Sequence, residues 1–264
     1  MTAIVGRAGA GKSSILGLID GMRAPDSGAV TLAGCNIAAV SPASLHRMVA
    51  VVSQFPMFIS DTVRANFLLA KADADDGEIE SICRRVELWE TFVRLSPGAP
   101  LDYVMSRTPG KDLSGGERRL LGLARVILRK PSVLLLDEPT TGVDAMTIDR
   151  LCRFLEEETD GKTVILVEHN LDFVMRMADR VCCLQDGKFV DYGAPVELAA
   201  RPSLFRDLLD SRDRQRTTED LTIERFPLPI LGKGAAERLS GMTPAERQPR
   251  FPVDAAPAAA REGI

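Results

Sequence analysis

No run of apolar residues in this sequence approaches the roughly 18 that a helix needs to cross a bilayer. If the protein works at a membrane, something else holds it there. No signal-peptide pattern is read at the start. Neither sign of charge dominates. The 33 Lys and Arg face 37 Asp and Glu, a formal net charge of -4, so nothing global suggests a nucleic-acid partner. Cysteine is sparse, with 5 scattered copies, an odd number. Cys182 and Cys183 are adjacent in an apolar, strand-like run, which favours core packing over a metal site or a disulfide framework. That usage fits a reducing cytosol. There is no internal repeat and no sustained heptad pattern. With 264 residues, 45% of them hydrophobic, the chain is still long enough for a sizeable core in one or two domains.

What is present begins near the start. Gly6-Arg7-Ala8-Gly9-Ala10-Gly11-Lys12-Ser13-Ser14 has the form G-x-x-x-x-G-K-[ST], a phosphate-binding loop. Glycines let the backbone curl so that successive N–H groups point at phosphate oxygens. Lys12 can reach the β- and γ-phosphates of a nucleotide, and Ser13 can supply a hydroxyl to Mg²⁺. The apolar run Thr2-Ala3-Ile4-Val5 reads as the strand before the loop. Ser14-Ile15-Leu16-Gly17-Leu18-Ile19 reads as the helix after it, its N-terminus facing the phosphates.

Further on, Ala29-Val30-Thr31-Leu32 and Gly34 predict a small hairpin. Val49-Ala50-Val51-Val52 predicts a buried strand running into a loop at Ser53-Gln54-Phe55-Pro56. From about 61 to 95 the apolar spacing becomes helical. Trp89 reads as core there, and the acidic run 73–78 reads as a solvated helix start rather than a calcium loop. Ser114 and Glu117 have capping-box spacing. The adjacent Gly115 and Gly116 would expose backbone N–H groups to an anion.

Two buried strands then end in chemistry. Pro131-Ser132-Val133-Leu134-Leu135-Leu136 is a continuous apolar run ending in Asp137-Glu138. Paired carboxylates there cost desolvation energy unless they have work to do. Thr163-Val164-Ile165-Leu166-Val167 ends at Glu168-His169, and Asp186-Gly187 marks a second hairpin. Strands alternating with helices predict an α/β domain with a mainly parallel sheet flanked by helices. Gly6, Gln54, Asp137 and His169 all follow strand ends, so they could converge on one site.

Taken together, the motifs resemble those of the ATPase domain of ATP-binding cassette (ABC) transporters, from about 2 to about 209. Gly6 to Ser14 is similar to the Walker A loop and Gln54 to the Q-loop glutamine. Leu113-Ser114-Gly115-Gly116-Glu117 is similar to the signature sequence, and Val133 to Glu138 to Walker B. Asp144 matches the D-loop aspartate and His169 the switch histidine. The segment Pro56-Met57-Phe58-Ile59-Ser60-Asp61-Thr62-Val63-Arg64-Ala65-Asn66 is similar to exporters. Glu117 stands where exporters usually carry Gln and importers often Glu.

The resemblance implies a P-loop NTPase fold with a helical, signature-bearing insert over 61–113 between two core parts, 1–60 and 114–209. Proline punctuation and low apolar content predict a mostly disordered tail over 210–264. The resemblance further implies ATP and Mg²⁺ as ligands, with Gly6, Arg7, Ala8, Gly9, Ala10, Gly11, Lys12, Ser13, Ser14 and Gln54 binding the nucleotide. Ser13, Gln54 and Asp137 would hold the metal, and Glu138, His169 and Lys12 would be catalytic. A second such domain would contribute its signature segment to the bound ATP, with Asp144 at the interface. Membrane-embedded partner domains would keep the chain at the cytoplasmic face.

The family places two or three strands, one bearing an adenine-stacking aromatic, before Walker A, hence upstream of Met1. The chain therefore reads as the end of a longer protein or as having a mis-set start. Without those strands, an exposed sheet edge is expected beside Thr2 to Val5, with poor solubility. An importer ATPase subunit, a non-transport ABC ATPase, an ATP-holding regulatory module and a P-loop small-molecule kinase are the other readings.

Overall fold

The computed structural model describes residues 1–106 and 112–212. Among the described residues eight strands are formed: β1 (Thr2–Val5), β2 (Thr31–Leu32), β3 (Cys35–Asn36), β4 (Val49–Val52), β5 (Val133–Asp137), β6 (Thr163–Val167), β7 (Arg180–Gln185) and β8 (Lys188–Gly193). The α-helices before 204 are α1 (Lys12–Ile19), α2 (Pro42–Met48), α3 (Val63–Leu68), α4 (Asp76–Arg85), α5 (Trp89–Leu95), α6 (Gly115–Ile127), α7 (Ala145–Glu158), α8 (Leu171–Met177) and α9 (Pro195–Ala200).

Six strands make one sheet in the order β4-β5-β6-β1-β7-β8, parallel except for the antiparallel β7–β8 hairpin. The second small sheet is the β2–β3 hairpin. Because strand side chains alternate between faces, each apolar run feeds two cores. Leu134 and Leu136 join the larger cluster with α6 and α7, while Val133 and Leu135 join the smaller one with Leu16 of α1 and Leu45 of α2. Both faces are thus covered, which is why these strands read as unbroken hydrophobic runs.

One expectation is corrected here. β1 is not at a sheet edge; it is hydrogen-bonded to β6 on one side and β7 on the other. The later strands cross over and close both of its sides, as the parallel topology requires. The edges are β4 and β8, and on β8 Phe189, Val190 and Tyr192 are exposed.

The segment 61–106 folds as α3, α4 and α5. Asp75 caps α4 in a reciprocal capping box with Glu78, so the acidic run is a helix start, as the spacing predicts. Trp89 is 8% exposed and carries Arg84 over its ring at 5.1 Å. Phe67, Ile79, Phe92 and Met105 pack into the same cluster as Leu120 and Leu121 of α6.

The predicted tail begins at 210, yet helical residues run from 204 to 212. Buried Phe205 anchors that helix and an Arg206–Asp210 ion pair at 3.1 Å spans one turn of it. The rest of the predicted tail, 213–264, lies outside the described residues.

Candidate functional site

Strand register sets the geometry. Asp137 pairs with Val167, and Val167 with Ile4, so the carboxyl ends of β5, β6 and β1 finish level. Gly6, Glu138 and His169 leave the sheet together, at the end where ligands of parallel sheets bind.

The loop after β1 needs its glycines for two different reasons. A Cβ at Gly6 would lie 2.2 Å from the Leu184 carbonyl oxygen, so backbone packing against β7 excludes any side chain. Gly9 and Gly11 adopt φ values of 79° and 102°, in the left-handed region that favours glycine. No side chain caps α1, which leaves its first N–H groups free for an anion. Lys12, 6% exposed, folds back so that Nζ donates to the carbonyl oxygens of Gly6 at 2.8 Å and Arg7 at 3.1 Å. Burial pushes the Lys12 pKa down, while the charges of Glu138 and Asp137 oppose that shift.

Ser13 hydrogen-bonds the Asp137 side chain. Burial, reinforced by the Glu138 charge, holds Asp137 above the usual carboxylate range, and the Ser13 bond and Lys12 pull the other way. Glu138 sits at φ 48°, a strained conformation for a non-glycine residue, and its N–H donates to the Val167 carbonyl at 2.8 Å. Three side chains converge on its carboxylate. His169 Nε2 lies 2.9 Å from Oε1, while Gln54 Nε2 at 2.9 Å and the Thr141 hydroxyl at 3.2 Å donate to Oε2. Ala8, Gly9, Gly11, Lys12, Ser13, Ser14, Glu138 and His169 line one open cleft.

Among the described residues no group of three or more His, Cys, Asp or Glu could hold a metal ion. The donor set fits Mg²⁺ all the same. Ser13 and Asp137 are already in contact, and Mg²⁺ is usually held by one or two carboxylates or hydroxyls plus phosphate oxygens and water.

The signature residues do not line this cleft. Leu113 is buried, and Ser114 caps α6 by accepting the Glu117 N–H at 3.1 Å while Glu117 accepts the Ser114 N–H at 2.8 Å. Gly115 is exposed. A Cβ on Gly116 would come within 2.9 Å of Thr147 Cγ2. Asp144 caps α7 by accepting the Thr147 N–H and hydroxyl, bonds that lower its pKa. Signature and Asp144 therefore meet each other across Thr147, on a surface apart from the phosphate loop of the same chain.

Sequence reasoning missed several partners. Thr140 and Thr141 bind the carboxylates of Glu168 and Glu138, and a doubled threonine just after an acidic strand end is a signal that could have marked them. The Arg119 Nε bond to the Gln54 carbonyl at 3.0 Å had no local signal. Nor did the buried Arg118–Asp112 pair at 3.1 Å, which also ties down Ser106.

A mainly parallel sheet with a glycine-lined loop after β1 feeding an uncapped helix, and a carboxylate pair ending β5 on the far side of β6, defines a P-loop nucleotide-binding domain. Residues 1–141 match the family described as ABC transporter. The chain belongs to that family, as the motif order implies. It is 36% identical over 207 residues to ABC transporter 1 of Ajellomyces capsulatus, a match covering 77% of this chain and 15% of that protein. It is 34% identical over 206 residues to the Bacillus subtilis glutathione/L-cysteine transport system ATP-binding/permease protein CydD, covering 78% and 35% respectively. The solved structure of a bacterial Atm1-family ABC exporter with ATP bound superposes with a TM-score of 0.74 at 26% identity, over 80% of this chain and 37% of that one. The chain thus spans a minor part, 15% to 35%, of the length of these two relatives.

Proposed function

We propose that this chain is the ATP-binding and ATP-hydrolysing domain of an ABC transporter of exporter type. The observation that carries the reading is Glu138, held by His169, Gln54 and Thr141 at the mouth of the phosphate loop. The likeness to the Atm1-family exporter favours the exporter type. Glu117 does not weigh against it, because it serves as the capping-box acceptor, a task Gln performs as well.

In this reading the N–H groups of 8–14 and Lys12 grip the phosphates. Ser13, Gln54 and Asp137 would hold Mg²⁺, which would supply positive charge against the phosphate oxygens. Glu138 accepts a hydrogen bond from the attacking water and orients it. His169 faces both Glu138 and the developing phosphoryl charge. The catalysis is positioning and electrostatic stabilisation. Ser114, Gly115 and Gly116 serve the ATP of a second copy or homologous domain, docked head to tail with Asp144 at the seam. Residues 61–106 form the described part of the helical subdomain. No described helix is long and apolar enough to cross a membrane. In this reading membrane domains, on the same longer polypeptide or on another subunit, anchor the chain at the cytoplasmic face.

Two measurements test this. The full chain should release phosphate from ATP only with Mg²⁺, and EDTA should stop it. The Glu138→Gln form should dimerise with ATP in sedimentation, and adding Ser114→Arg should keep it monomeric with nucleotide still bound. Metal-independent turnover, or a dimer indifferent to Ser114→Arg, rejects the reading.

A further inference from the structure

Glu168 is a buried carboxylate that the reaction above leaves without a task. It is 1% exposed, at the end of β6 beside His169. A carboxylate buried this deeply persists only where donors replace its water. Four do so. Oε1 accepts the backbone N–H groups of His169 at 2.7 Å and Asn170 at 2.9 Å. Oε2 accepts the Thr140 N–H at 3.2 Å and the Thr140 hydroxyl at 2.8 Å.

The two oxygens serve different loops. Oε1 gathers the turn that presents His169; Oε2 gathers the turn that follows Glu138. The Glu138 N–H is itself bonded to Val167, so both loops are fastened within a residue or two of the place where His169 Nε2 meets Glu138 Oε1 at 2.9 Å. An apolar residue at 168 would leave three backbone N–H groups without this acceptor.

Resting on the ATPase reading, we propose that Glu168 is a positioning residue for ATP hydrolysis. Its carboxylate locks the His169 loop to the Thr140 turn and so holds the imidazole against Glu138. It touches neither phosphate nor water. Its effect passes through His169.

Three variants of the full chain test it. Glu168→Gln keeps size but turns an amide donor toward the Thr140 N–H, so one end of the bridge opens. Thr140→Val removes only the hydroxyl, and Thr140→Ser keeps it. Expected is a fall in kcat of about 10- to 100-fold for Glu168→Gln and a smaller fall for Thr140→Val, since misplacing reacting groups is expensive. KM for MgATP should stay within about twofold, and Thr140→Ser should restore turnover. Added to His169→Ala, Glu168→Gln should cost nothing more, because both act through one imidazole. A residue that merely stabilised the fold would give an additive loss. Additivity, or unchanged kcat in both Glu168→Gln and Thr140→Val, overturns the proposal. If Glu168→Gln fails to fold, the Thr140 pair decides. A wild-type chain without turnover overturns the ATPase reading instead. The amide proton shift of Thr140 then judges the bridge: it should move upfield in Glu168→Gln, and an unmoved shift rejects it.

Discussion

Gln54 Nε2 donates to Glu138 Oε2 at 2.9 Å across 84 positions of sequence. The contact ties the loop after β4 to the end of β5, adjacent strands of the sheet. Glu138→Gln keeps the shape but removes the charge, and sets an amide beside the Gln54 donor. Turnover should fall about 100-fold or more, the scale of a lost general base. Nucleotide affinity should hold, since Lys12 and the loop N–H groups are untouched. Gln54→Ala should raise the Mg²⁺ concentration needed for half-maximal turnover and lower turnover by about tenfold. Steady-state hydrolysis alongside fluorescent-nucleotide titration reads both.

Binding should have a narrow pH window. Asp137 is shifted up by burial and Lys12 is shifted down by burial. As pH falls, Asp137 takes up a proton at a higher pH than an ordinary carboxylate, and Mg-nucleotide affinity is lost early. As pH rises, Lys12 loses its proton earlier than an ordinary lysine, and phosphate affinity falls. Mg-nucleotide binding below neutrality should therefore release protons, which calorimetry in buffers of different ionisation enthalpy detects.

The stability signs follow from the same shifts. A carboxylate whose folded pKa is raised costs stability above that pKa, and the cost is relieved as pH falls through it. Asp137→Asn should thus raise the melting midpoint of the nucleotide-free chain near neutral pH while abolishing Mg²⁺-dependent binding. A lowered midpoint would show that the Ser13 bond outweighs desolvation.

Much of this site was legible because its parts are local. The phosphate loop, the helix start in the acidic run 73–78, the capping box at Ser114, and the strand ends at Asp137 and His169 each carry their signal within a few residues. What escaped is set by topology and long-range contact. Thr2 to Val5 opens the chain, and nothing in those residues says that β6 and β7 will flank them. Arg119 reading the Gln54 carbonyl depends on how α6 lies against the loop, which periodicity leaves open. Glu168 looked like the neighbour of a histidine; its four donors come from two loops that meet only in the fold.

That docking of α6 makes Gly122 sensitive. A Cβ there would stand 2.5 Å from Pro56 Cβ, and Arg118 and Arg125, one helical turn to either side, both lie over the Phe58 ring. Gly122→Ala should cost about 1–3 kcal/mol through overpacking and also lower kcat, because Gln54 moves with Pro56. Gly115→Ala is the control. Nothing lies within 4 Å of its Cβ, so the melting midpoint should hold or rise slightly with the better helix former. If Gly115→Ala nevertheless lowers turnover, its loss arises at the interface with the second domain. A Gly122→Ala chain as stable as wild type would mean that the loop slides off α6 at little cost.

The cleft should grip phosphates better than bases. Its described lining is Ala8, Gly9, Gly11, Lys12, Ser13, Ser14, Glu138 and His169, with no Phe, Tyr or Trp among them. Every contact available there is to charge or to a phosphate oxygen, and such charge-assisted bonds serve any nucleoside triphosphate. Stacking a base on an aromatic face contributes roughly 1–3 kcal/mol. Its absence from the lining corresponds to affinity weaker by about tenfold to a hundredfold. ATP and GTP should therefore bind this chain with dissociation constants within about threefold of each other, and inorganic triphosphate should compete with both. Titration of all three against the chain, with Lys12→Ala as the control that abolishes phosphate binding, measures it. A tenfold preference for ATP over GTP would require an adenine contact from a residue outside the described lining. Failure of triphosphate to compete would move the main source of affinity away from the phosphate loop.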